Sequence, residues 1–172
     1  MTGFLADDRP VDEREFTRRA CDPRSSVVVE ACAGSGKTWL LVGRIVRALL
    51  DGARPGEILA ITFTRRAAQE MRARLMKDLQ ELALADDQDI VEWLQLRGLT
   101  AEQARARAAD ARCLYERVAA ARTPLAIETF HGWFWQLVAA APLGAGVPYA
   151  PVLLEAADRL RGRQVLAEEV AG

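Results

Sequence analysis

Cysteine, histidine and net charge are all scarce in this 172-residue chain, and each scarcity removes a class of protein. The three cysteines, Cys21, Cys32 and Cys113, form no C-x-x-C pair and share the chain with one histidine, His131. Neither a disulfide framework nor a zinc site is indicated, and a reducing cytoplasm fits. The formal net charge of −1 gives no overall attraction to nucleic acid or to an anionic membrane, so any nucleic-acid contact must be local. The opening MTGFLADDRPVDEREF carries acids where a signal peptide needs a basic and then an apolar stretch. The uncharged run from Val138 to Leu154 holds Pro142, Pro148, Pro151, Gly144 and Gly146, which reads as a loop rather than a membrane span. A soluble protein with no membrane partner is expected.

What is present is a globular profile, with 51% hydrophobic and 27% charged residues. The length suits one compact domain and is short for two. Its organising stretch is Ser26 to Thr38, SVVVEACAGSGKT. A β-branched run (Val27, Val28, Val29) predicts a strand, the small residues a turn, and the apolar spacing of Leu40, Leu41, Ile45, Val46, Leu49 and Leu50 a helix. The phosphate-loop pattern asks for a small residue, four free positions and Gly-Lys-Ser/Thr. Ala31, Cys32, Ala33, Gly34, Ser35, Gly36, Lys37 and Thr38 supply it, with Ala in place of the leading Gly.

The residue types follow from the chemistry. Gly34 and Gly36 let backbone N–H groups turn inward, and the helix N-terminus adds partial positive charge, a cradle for phosphate oxygens. Lys37 can reach the β- and γ-phosphates, and the Thr38 hydroxyl can ligate Mg²⁺. Cys32 within this loop is read as a small packed thiol. The bland alternative is a strand-to-helix turn that happens to contain Gly-Lys-Thr.

Elsewhere, residues 11–24 form a polar, helical approach stopped by Pro23, placed where it could lie beside a nucleotide base. Ile58 to Phe63 predicts a second strand, giving a βαβ unit and a parallel sheet. Thr64 can cap a helix from Arg65 to about Ala83 with an apolar stripe at Ala68, Met71, Leu75 and Leu79. Residues 65–77 hold five bases against Glu70, and residues 78–92 answer with six acids. Thr100 with Gln103 fits a capping box opening one long helix, with Ala104, Ala108, Ala111, Tyr115 and Val118 on one face and its arginines in solvent. Leu125 to Thr129 predicts a third strand, followed by an aromatic helix from about Phe130. A last helical pattern spans Glu155 to Val170.

Three stretches together, ACAGSGKT (31–38), ILAITFTRRAAQEMRARL (58–75) and ETFHGWFWQLV (128–138), resemble the first three ordered motifs of UvrD/Rep/RecB-like superfamily 1 DNA helicases. The middle stretch is the specific one. PRSSVVVEACAGSGKT followed by TFHGWFWQL looks closer to the RecB/AddA-type subunits of helicase–nucleases than to the stand-alone UvrD branch. The resemblance implies an α/β fold: a P-loop NTPase (RecA-like) parallel sheet with flanking helices, a helical insertion at about 84–122, and incomplete at its C-terminus. Residues 1–172 are then the N-terminal part of a UvrD-like ATP-binding domain. It implies ATP and Mg²⁺ at residues 31–38, with Lys37 and Thr38 catalytic. Single-stranded DNA would lie at Thr62, Phe63, Thr64 and Arg66 and at Thr129, Phe130 and His131. In the intact enzyme it implies 3′-to-5′ translocation in double-strand-break repair and a nuclease or helicase partner subunit.

On its own Phe63 reads as core, Arg65-Arg66 as a solvated helix start, His131 as a structural histidine, and Trp133, Phe134 and Trp135 as packing. The motif context raises Phe63 and His131 above those readings. At the end of a strand Phe63 can stack on a base without regard to sequence, and Thr62 and Thr64 can donate to phosphate. The approach DEREFTRRACDPRSS holds no Gln, the usual adenine reader of the family. The only Asp-Glu, Asp12-Glu13, follows no apolar strand, so this chain alone is expected to bind nucleotide weakly and not to turn it over. Two rivals remain: a stand-alone P-loop nucleotide-binding protein or kinase, and a non-catalytic DNA-binding module.

Overall fold

The computed structural model describes residues 3–32 and 34–140, so the expected Pro/Gly loop and the helical pattern at Glu155–Val170 lie outside the described residues. The chain divides into two units, residues 1–129 and residues 130–172. The first opens with an antiparallel hairpin, β1 (Phe4–Ala6) and β2 (Arg9–Val11), turned by Asp7 and Asp8 at φ 50° and 61°. Two successive left-handed residues match the right-handed strand twist. The Phe4 ring rests 4.9 Å from Phe16 on the next helix, α1 (Glu13–Cys21).

Helix α1 is the expected approach segment. Asp12 caps it, its carboxylate accepting from Glu15 N at 2.7 Å. Glu15 is bonded by Arg18 and Arg19, which together hold its carboxyl down at about 2. Cys21 is fully buried at the other end, where desolvation pushes its thiol up to about 11.

After the phosphate-loop segment come α2 (Lys37–Leu50), a 3₁₀ turn at Pro55–Glu57, β3 (Leu59–Thr62) and α3 (Arg65–Leu84). Helices α4 (Asp87–Leu96), α5 (Ala101–Arg112) and α6 (Leu114–Ala119) then lead to β4 (Ala126–Thr129). β3 and β4 are parallel, with Ala60 opposite Ile127 and Thr62 opposite Thr129. Ala60 and Ile127 face the core, while Leu59 and Ile61 alternate outward. The core is mainly helical: Val42, Val46 and Leu49 of α2 meet Leu75, Leu79 and Leu82 of α3, with Ile90, Leu94 and Leu114 beneath. Ala104, Ala108 and Ala111 present only methyl groups, which lets α5 approach α4 closely.

The α/β class holds, but the sheet differs from expectation. Val27–Val29 lies in no strand, and the described residues contain one parallel pair and one hairpin rather than a three-stranded parallel sheet. A strand needs a hydrogen-bonding neighbour, and Val27–Val29 has none among the described residues. Val28 is 96% exposed and Val29 only half-buried, so little burial offsets the entropy of ordering this run. The expected long helix after Thr100 is also two helices, broken at Cys113. The break turns Leu114 into the core and brings the Tyr115 hydroxyl to 3.3 Å from Gln80 Nε2 of α3.

The arginines of this region do not form a solvated face. Arg107 donates to the Leu50 carbonyl, Arg117 to Leu49 O at 3.2 Å, and Arg112 to Ala85 O at 3.1 Å. They close the C-termini of α2 and α3, where carbonyls lack partners and the helix dipole favours cations.

The Thr100–Gln103 capping box is formed in both directions, at 3.2 and 3.0 Å. Thr100→Ala is expected to cost about 1 kcal/mol in urea unfolding at an unchanged m-value. Loss under 0.3 kcal/mol would mean that α5 is held by packing alone.

The second unit's described part is α7 (Phe130–Ala139). Phe130 stacks on Phe134 with centroids 6.4 Å apart and meets His131 edge-on at 6.0 Å. No helix among the described residues is long and apolar enough to cross a membrane.

Candidate functional site

The phosphate-loop segment is a surface loop that closes on itself. Gly34 and Gly36 sit at φ 80° and 86°, in the left-handed region that only glycine enters cheaply. Open space lies where a Cβ would be at either, so the requirement is conformational rather than steric. Ser35 N donates to Cys32 O at 3.3 Å, and Gly36 is the N-cap of α2. The Lys37 ammonium folds back over the turn and donates to Ala31 O at 2.5 Å and Cys32 O at 2.6 Å. Lys37 and Thr38 are exposed at the start of α2, which has no side-chain cap among the described residues and no acid in its first turn. The N–H groups of Lys37, Thr38 and Trp39 therefore have no intrahelical acceptor, which is the donor set an anion requires. Ala33 lies outside the described residues.

Upstream, Arg44 of α2 holds the chain entering this loop. It donates to Ala20 O at 3.3 Å, to Asp22 O at 2.5 Å and to the Ser25 carbonyl. A cavity of about 630 Å³ lies between α1 and residues 25–29, with Phe16, Arg18, Arg19 and Val27 in its walls. The approach helix thus flanks the segment leading to the phosphate loop.

The strand-end residues are brought together in part. Thr62 and Thr129 are register partners at the C-terminal ends of the parallel strands. The Thr62 hydroxyl donates to Thr64 O at 3.0 Å, and Thr64 caps α3 by accepting from Ala67 N at 3.1 Å. Phe63, between them, is 100% exposed, which removes the core reading. Arg66 is exposed in the first turn of α3 and pairs with Glu70 at 2.8 Å. Arg72, which sequence reasoning did not single out, ties α3 to β4 by donating to Ile127 O at 3.0 Å. His131 is exposed in the first turn of α7, in the second unit.

Among the described residues no cluster of three or more His, Cys, Asp or Glu could hold a metal ion. Thr38, at the exposed N-terminus of α2, has the hydroxyl chemistry for Mg²⁺ alongside bound phosphate. Asp12, of the sole Asp-Glu, is spent on capping α1.

A glycine-built turn opening a helix, ahead of a parallel strand pair ending in hydroxyls and an exposed ring, is the frame of a P-loop protein of the α/β class. Residues 13–146 match the UvrD/REP helicase N-terminal domain, and the chain belongs to that family. Curated relatives include an ATP-dependent helicase/nuclease subunit of Lactobacillus acidophilus, 42% identical over 74 residues, or 40% of this chain and 6% of the relative. The protein of the same name from Lactobacillus gasseri is 34% identical over 94 residues, 54% of this chain and 8% of the relative. That from Staphylococcus aureus strain JH9 is 46% identical over 61 residues, 35% of this chain and 5% of the relative. Their names agree with the RecB/AddA-type resemblance of the motifs. The chain spans less than a tenth of their length.

Proposed function

We propose that this chain is the ATP-binding N-terminal portion of an ATP-dependent DNA helicase that translocates 3′ to 5′ on single-stranded DNA. The intact protein would act in the cytoplasm as one component of a helicase–nuclease in double-strand-break repair, with a partner subunit. The observation that carries this reading is the first turn of α2, whose N–H groups have no side-chain cap among the described residues and no acid beside them, with Lys37 already folded over the loop. In this reading residues 31–38 would hold the phosphates, the Lys37 ammonium would exchange its two loop carbonyls for phosphate oxygens, and the Thr38 hydroxyl would be a ligand for Mg²⁺. The metal, when bound, neutralises charge on the phosphate oxygens.

In the first unit Thr62, Phe63, Thr64, Arg66 and Thr129 would contact single-stranded DNA, and in the second, taken by itself, His131 would do so. Phe63 supplies a stacking platform and the hydroxyls position the backbone. Arg66 reaches a phosphate by exchanging its exposed partner Glu70. Helices α4 to α6 belong to an insertion at about 84–122. Hydrolysis needs an apolar strand ending in Asp-Glu and arginines from a second domain, so this chain alone binds ATP and does not turn it over.

The test is titration of a fluorescent ATP analogue with Mg²⁺ into this chain, with and without a single-stranded oligonucleotide. Nucleotide binding that shifts with oligonucleotide is expected, and Phe63→Ala should weaken oligonucleotide binding by about 5- to 150-fold, the range for one base–aromatic stack. Salt-dependent oligonucleotide binding with no nucleotide binding would identify a non-catalytic DNA module instead. Nucleotide binding indifferent to oligonucleotide and to Phe63→Ala would favour a stand-alone P-loop protein.

A further inference from the structure

We propose that Arg97 is a positioning residue for the phosphate loop, acting through Trp39. Its guanidinium carbon lies 3.6 Å from the centroid of the Trp93 ring and 4.6 Å from that of Trp39. Trp39 stands two residues after Lys37 in the same turn of α2. The residues around that turn are otherwise exposed from Glu30 to Thr38 wherever they are described. Trp39, half-buried, is therefore the nearest anchor of this turn to the body of the protein.

The clamp is built to hold one geometry. Arg97 is 5% exposed and bonds Asp78 Oδ2 at 3.3 Å, while its Nε is buried without a hydrogen-bond partner among the described residues. Gly98, at φ 86°, ends α4 with bonds from Gly98 N to Gln95 O and from Leu99 N to Leu94 O. A Cβ there would stand 2.5 Å from Arg18 Cα, so the backbone carrying Arg97 is locked against α1. Gly43 of α2 leaves room for the arginine stem, since a Cβ would sit 2.8 Å from Arg97 Cγ. A buried cation with an unused donor is a poor choice for packing alone. Held between two indoles beside the phosphate loop, it fixes where Lys37 and Thr38 start the helix.

This inference rests on residues 31–38 being the nucleotide site, and its test separates the two. Amide exchange at Leu40 and Leu41, whose N–H groups close the first turn of α2, is compared with exchange in α5. The same proteins are titrated with the fluorescent ATP analogue. Arg97→Met combined with Asp78→Asn, which leaves no unpaired charge, is expected to speed Leu40 and Leu41 exchange about tenfold relative to α5. Nucleotide binding should weaken about tenfold. Gly43→Ala, which displaces the arginine stem without altering charge, should move both readouts in the same direction, and Arg97→Lys should recover part of each loss. Leu114→Ala, which loosens the core on the far side of α5, should neither speed Leu40 and Leu41 exchange relative to α5 nor weaken the affinity. An unchanged exchange ratio in the Arg97 variants, or an equal affinity loss in Leu114→Ala, overturns the proposal. If the unaltered chain binds no nucleotide, the nucleotide-site reading fails, and the exchange ratio alone decides whether Arg97 positions the turn.

Discussion

Asp78→Ala is expected to destabilise the chain by about 3–5 kcal/mol, the range for leaving one partner of a buried ion pair uncompensated. The side chains of Asp78 and Arg97 are 11% and 6% exposed and share one 3.3 Å contact. Desolvation is the largest influence on both. It raises the Asp78 carboxyl above its ordinary value and lowers the Arg97 guanidinium, and the mutual attraction offsets this only in part. The pair is thus weak net glue that is costly to break. Replacing both partners by apolar residues of similar volume, Asp78→Leu with Arg97→Met, should cost far less than Asp78→Ala alone. A urea-denaturation double-mutant cycle measures this. A single-mutant loss below 1 kcal/mol would show that the two indoles satisfy Arg97 without Asp78. The pH dependence has a definite sign. A carboxyl whose folded value is raised contributes stability that is full below its unfolded value and lost as pH rises through the folded one. Glu15, held down by Arg18 and Arg19, runs the other way: its contribution is full above the unfolded value and lost as pH falls toward about 2.

The parts of the fold legible in the sequence are those whose cause is local. Gly34 and Gly36 announce left-handed backbone wherever they sit, Thr64 and Thr100 cap the helices that follow them, and Ala68, Met71, Leu75 and Leu79 mark one face of α3. β3 and β4 were legible as apolar runs. Val27–Val29 carries an equally clear β signature and forms no strand, because pairing depends on a neighbour that a sequence window does not contain. The β1–β2 hairpin was missed for the opposite reason: its strands are three residues long and its Asp7-Asp8 turn lacks glycine.

Long polar side chains were the hardest to place. Arg107, Arg112 and Arg117 look alike on a helical wheel, yet each ends at a particular carbonyl of another helix. Arg97 gave no sequence signal beyond standing before Gly98. Of the strand-end residues, Thr62 and Thr129 could be paired only once the parallel register was known, whereas the full exposure of Phe63 removes its reading as core.

Lys37→Ala is expected to lower affinity for the Mg²⁺-bound ATP analogue on the order of 100-fold. A hydrogen bond to a charged group contributes roughly 1.5–3 kcal/mol, and in the proposed site the ammonium faces two phosphates. The fold should be indifferent, because Lys37 is exposed and its acceptors, the carbonyls of Ala31 and Cys32, lie in an exposed loop that water can satisfy. The unfolding free energy from urea denaturation is therefore expected to stay within about 0.5 kcal/mol of the unaltered chain's, as for most surface substitutions. Lys37→Arg separates charge from fit. The longer planar fork keeps the charge but cannot place a compact ammonium over the turn that Gly34 and Gly36 shape, so it should recover little of the binding. Full recovery by arginine would mean that the site holds phosphate by net charge alone. An unchanged affinity in Lys37→Ala would move the nucleotide away from α2 altogether, whatever the family of the chain.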